Sequence, residues 1–114
     1  MKEVVLRFRA SDRATFEAIL NGQKTIETRA ATKKYNQITA GDTLVLVCGE
    51  DRASKNITRV EHFESLKDLF RTFNFKTILP QAKSTEEASK IILSFPGYKE
   101  KIKAHGIMAL VLEP

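Results

Sequence analysis

Lys24, Glu27 and Arg29 are the side chains whose types and spacing could act together chemically. They stand in Gly22-Gln23-Lys24-Thr25-Ile26-Glu27-Thr28-Arg29, a segment that otherwise reads as a buried strand. Thr25, Ile26 and Thr28 are β-branched and suit a pleated surface. Strand residues alternate faces, so Thr25, Glu27 and Arg29 are expected on one side and Lys24, Ile26 and Thr28 on the other. Lys24, at the first position, can still curl over the strand end. Buried charges must be paired, so Glu27 is expected to contact Lys24 or Arg29. Such a set can be a salt-bridged strand end and nothing more. It can also line a polar cleft, with Arg29 forking onto phosphate or a base edge. Glu27 would then orient Lys24 or accept from an exocyclic amine, as carboxylates do with cytosine.

Other residues offer related chemistry. Lys33, Lys34 and Tyr35 lie in the polar loop that follows, where a lysine pair beside an aromatic could hold phosphate and stack a base. Tyr98 with Lys99, Lys101 and Lys103 offers the same set late in the chain, or else a charged surface with Tyr98 packed beneath it. Lys83 and Ser84 precede a helix N-terminus, whose free N–H groups attract anions. Ser84 is expected to serve as the cap there, and Glu86 and Glu87 oppose an anion, so this is a weak second contact. His62 and His105 are far apart and neither has a ligand-spaced partner, so no metal site is expected. Cys48 ends an apolar strand and reads as a small core residue. No phosphate-binding or dinucleotide glycine motif occurs, and no cofactor is expected.

The elements that must position these residues follow from patterning. Glu3 to Arg9 alternates imperfectly as a strand. Ser11-Asp12 offers a cap for a helix with Phe16, Ile19 and Leu20 on one stripe, stopped at Asn21-Gly22. Strands are expected over Lys24–Ala30, Thr43–Cys48, Ser54–Phe63 and Ile107–Leu112, the last nearly all apolar and therefore central. Ser65 caps a helix carrying Leu66, Leu69, Phe70 and Phe73. Ile78-Leu79-Pro80 is a break, and Ser84-Thr85-Glu86-Glu87 is a capping box for a helix burying Ala88, Ile91, Ile92 and Phe95. Tyr98 to His105 reads as a polar, basic segment. The sum is an α+β chain of about five strands and about three short helices, with strands at both ends. A small mixed β-barrel with helices over its mouth satisfies that order.

Composition bounds the partners. A chain of 114 residues, 42% apolar and 29% charged, suits one globular domain over residues 1–114. No run approaches the roughly 20 apolar residues a membrane helix needs. Val4-Val5-Leu6 is too short for a secretory core, so a cytoplasmic location and no membrane partner are expected. The net charge of +5 favours acidic partners, nucleic acid first. Lys and Arg are spread along the whole chain, so any basic patch must be assembled by folding.

The order helix, G-x-K-T-I-E-x-R strand, polar loop and Gly41-Asp42 opening another strand resembles the ASCH domain family. Phe63-Glu64-Ser65-Leu66, Ile78-Leu79-Pro80, Ser84 to Ala88, Tyr98 and Gly106 to Leu110 fit the same pattern, so the likeness spans the chain. The resemblance implies a PUA-like mixed β-barrel with a cleft beside the Lys24–Arg29 strand, and RNA or nucleotide-like ligands. One branch of the family hydrolyses N4-acylated cytidines with a lysine, a threonine three residues later and a distant glutamate. Lys24 occupies the lysine position, but Glu27 stands where that branch has its nucleophilic threonine. The expected function is therefore binding of RNA or a nucleotide-like ligand, with DNA the less favoured partner, in a cleft formed by the Lys24–Arg29 strand and the loops over it. There Lys24 and Arg29 capture the ligand electrostatically, and Glu27 and backbone groups set specificity. The alternative is a small hydrolase of a modified nucleoside or RNA using Lys24 and Glu27, and a third reading is a protein-interaction module.

Overall fold

A computed structural model describes all residues 1–114. The elements are β1 (Glu3–Phe8), α1 (Arg13–Leu20), β2 (Ile26–Ala30), β3 (Thr43–Cys48), β4 (Asp51–Phe63), α2 (Leu66–Thr72), α3 (Phe75–Ile78), α4 (Thr85–Leu93), α5 (Tyr98–His105) and β5 (Ile107–Leu112). One five-stranded sheet runs in the order β1-β3-β4-β5-β2. β1 and β3 are parallel, and every other pair is antiparallel. The sheet curls into a half-barrel, the mixed α+β architecture expected from the sequence.

The curl makes two cores. Inside it, Leu6, Leu44, Leu46, Ile57, Met108 and Leu110 meet Phe16 and Ile19 of α1, which closes the open side. On the outer face, Ile26, Ala30, Ile107 and Ala109 meet Leu69, Ile78, Ile92 and Ile102 of the remaining helices. β5 supplies alternate residues to both cores, and this is why its sequence is almost continuously apolar. Gly106 enters it at φ +80°, and a Cβ there would sit 2.5 Å from the Phe63 carbonyl oxygen. Only glycine fits that approach of backbone to backbone.

Two short helices are additional to the three expected. α3 occupies the segment read as a break; the Asn74 side chain accepts from the Lys76 N–H at 2.9 Å and starts its single turn. α5 buries only Ile102 of its eight residues, so its apolar stripe is too thin to stand out from the sequence. Phe95, expected in the core, is 43% exposed because it follows the end of α4 and turns edge-on to Tyr98. Leu20 likewise lies at the rim, 39% exposed. Asp12 begins α1 without a side-chain cap because Arg9 Nε donates to its carboxylate at 2.9 Å.

Candidate functional site

β2 starts at Ile26, two residues later than its sequence suggests, because the backbone of Lys24 and Thr25 is engaged elsewhere. The Lys24 N–H donates to Ala18 of α1 and the Thr25 N–H to Thr77 of α3, each at 3.0 Å. Lys24 therefore lies in a bridge between two helices, and its side chain turns back over the strand end. It is buried, with Nζ donating to the carbonyls of Ile26 at 2.9 Å and Ile78 at 2.5 Å. Oε1 of Glu27 lies 3.5 Å from the same ammonium.

Along β2 the alternation holds. Ile26 and Ala30 face the helices, while Glu27 and Arg29 stand opposite Leu110 and Met108 and share their face, that of the inner core. Glu27 is buried and central to the charged row. One oxygen accepts from the Thr28 N–H at 2.9 Å and faces Lys24; the other lies 3.6 Å from Arg29 Nη2. Burial alone would raise its pKa, but Lys24, Arg29 and the Thr28 N–H outweigh burial and hold it below the usual glutamate value. Burial lowers the Lys24 pKa, and Glu27 offsets only part of that effect. Burial also disfavours the Arg29 cation, yet Glu27, Tyr98 and Tyr35 more than compensate.

Arg29 is where this row reaches the surface, with a quarter of its side chain exposed. Its guanidinium lies 5.6 Å from the centre of the Tyr35 ring, and Lys34 Nζ lies 5.3 Å from that ring. The loop brings Tyr35 back through a turn in which Tyr35 and Asn36 both donate to the Thr32 carbonyl. α5 packs against β2 and sets the Tyr98 phenol beside Arg29. Arg29 Nε is buried without a hydrogen-bond partner. Arg29, Lys34, Tyr35 and Tyr98 thus form one cationic, aromatic rim built from three separate parts of the chain.

The other expected residues divide. Lys33 is exposed in the same loop, next to Lys34. Ser84 caps α4, its hydroxyl accepting from the Glu87 N–H at 3.1 Å, and Lys83 is exposed just before it. Neither makes an ion pair, hydrogen bond or cation–π contact to the charged row. His62 pairs with the His105 carbonyl at 2.7 Å and forms no cluster with other metal-ligating side chains. Sequence reasoning missed the carbonyl of Ile78 as a partner for Lys24. A cleft is expected beside the Lys24–Arg29 strand; one of about 540 Å³ lies between α1 and α3 with Lys24 in its wall, and its other border residues, Thr15, Ala18, Gln23, Lys76 and Gln81, were not foreseen. No sequence spacing links these positions, because they meet only where the turn of α3 comes to lie beside α1.

The family model described as "ASCH domain" matches residues 13–114. The chain belongs to the ASCH domain family. Two solved structures are similar to this ASCH domain over its whole length. One is the crystal structure of the hypothetical protein PH0355, with a TM-score of 0.83 and 27% identity over 100% of this chain and 99% of that one. The other is the solution structure of protein PF0455 from Pyrococcus furiosus, with a TM-score of 0.77 and 25% identity over 98% and 96% of the two chains. A search of curated proteins finds no match. No helix of this ASCH domain is long and apolar enough to cross a membrane.

Proposed function

We propose that this ASCH domain binds single-stranded RNA or a nucleotide-like ligand on the rim formed by Arg29, Lys34, Tyr35 and Tyr98. Arg29 carries the reading. It is a permanent cation held by Glu27 from behind and by Tyr35 on its face, on a side chain that is a quarter exposed. Such a fork can meet phosphate or a base edge at little entropic cost, because its geometry is already set. Tyr35 offers a face on which a base can stack, and Lys33 and Lys34 supply backbone neutralisation. Membership of a family that is generally RNA-binding supports the same ligand class. In this scheme Lys24 does not touch the ligand. Its ammonium is spent on two carbonyls and Glu27, so it fixes the carboxylate that fixes Arg29.

Hydrolysis of a modified nucleoside fits less well. It would require Lys24 to leave both carbonyls and reach substrate, and Glu27 offers no nucleophilic hydroxyl at the threonine position. The test is fluorescence anisotropy of short labelled single-stranded RNA, duplex RNA and DNA across a salt series. Wild type, Arg29→Ala and Tyr35→Ala are compared. Binding to single strands that weakens with salt and is lost in both variants supports the proposal. Binding that ignores both variants would overturn it.

A further inference from the structure

β1 is the free edge of the half-barrel, bonded to β3 alone. The Thr43 N–H donates to the Lys2 carbonyl at 2.9 Å, which fixes which residues point inward. In a parallel ladder alternate residues turn both their N–H and C=O to the neighbour. Lys2, Val4, Leu6 and Phe8 therefore face β3, and Glu3, Val5 and Arg7 turn both backbone groups outward. The side chains of Glu3, Val5 and Arg7 also share the exposed face of the sheet, and Val5 is 40% exposed. Neither Glu3 nor Arg7 has an ion pair or side-chain hydrogen bond within the chain. Four residues apart on a strand, they are about 13 Å apart and cannot satisfy each other.

This order of charges is its own complement. We propose that two copies of this chain pair through β1, antiparallel and centred on Val5. Val5 then lies opposite Val5 of the second copy, and Glu3 opposite Arg7 on both sides of the two-fold axis. All three are hydrogen-bonded pairs, because the outward-facing backbone groups belong to these same residues. About six N–H···O bonds close the junction, the exposed valines cover each other, and both unmatched charges gain a partner. Charged side chains on an edge strand guard it against arbitrary partners. Here they admit one register and one direction, the arrangement an isologous dimer requires. The contact is one strand wide, so the dimer is weak and dependent on concentration.

Sedimentation equilibrium of the full chain tests this with charge swaps. Glu3→Arg places arginine opposite arginine, and Arg7→Glu places glutamate opposite glutamate, so each single variant should weaken self-association by about tenfold or more. An equimolar mixture of the two single variants should associate as a heterodimer, and Glu3→Arg/Arg7→Glu should recover the homodimer. Both positions are exposed, and circular dichroism should show all variants folded. A wild type that stays monomeric from micromolar to millimolar concentration would overturn the proposal. So would single variants that associate as well as wild type, or a mixture that fails to restore association.

Discussion

Replacing Glu27 with glutamine removes one charge from the middle of a buried row and leaves its shape intact. The carboxylate faces Lys24 at 3.5 Å and Arg29 at 3.6 Å, so the variant leaves two cations without their only acidic partner. Breaking a buried pair in this way costs about 3–5 kcal/mol. Glutamine can keep an acceptor for the Thr28 N–H, and Lys24 keeps both carbonyls, which places the loss near the lower end, about 3 kcal/mol. For a domain of this length that corresponds to a Tm lower by roughly 12 °C, at about 4 °C per kcal/mol. The assay is urea denaturation of wild type and Glu27→Gln over a pH series. The Glu27 pKa is lower in the fold than its ordinary value of 4.5. Its contribution is therefore complete above the unfolded value and disappears as pH falls through the folded one. The stability gap should stay constant from neutral pH down to about 4.5 and narrow only below it. A gap under about 1 kcal/mol at pH 7, or one that closes between pH 7 and 5, would refute this reasoning.

Other substitutions probe separate parts of the structure. Tyr35→Ala should weaken binding of single-stranded RNA by roughly 1–3 kcal/mol, read by anisotropy, if a base stacks on that ring. Lys34→Ala should lower the salt dependence of the same binding by about one unit of slope while weakening it similarly for all sequences. Gly106→Ala should destabilise the fold by more than about 2 kcal/mol in urea, because the methyl group would meet the Phe63 carbonyl at 2.5 Å on a backbone of positive φ. Ser84→Ala should cost about 1 kcal/mol of stability through loss of the α4 cap, with RNA affinity unchanged.

How far the sequence reached depends on how local each cause was. The facing of Glu27 and Arg29 was legible because strand alternation is a two-residue rule, and the two-sided burial of β5 because it leaves a run of apolar residues. The caps at Ser65 and Ser84 were legible for the same reason, each acting over one helical turn. The burial of Lys24 was not. Its partner is the carbonyl of Ile78, 54 residues away on a four-residue helix that carries little periodic signal. The meeting of Arg29 with Tyr98 was hidden in the same way. It depends on α5, a helix of lysines around one buried isoleucine. Side chains that touch across such distances announce themselves only once the helices are packed.

NMR can locate the ligand on the chain and so decide whether it meets the Arg29 rim. A short single-stranded RNA is titrated into ¹⁵N-labelled protein while backbone amides and the Arg29 Nε–H signal are followed. Shifts concentrated at Arg29, Lys34, Tyr35 and Tyr98, with Lys24 little affected, are the expected result. Saturable shifts confined to other surfaces, with Arg29 and Tyr35 unmoved, would contradict the assignment of this rim as the ligand site.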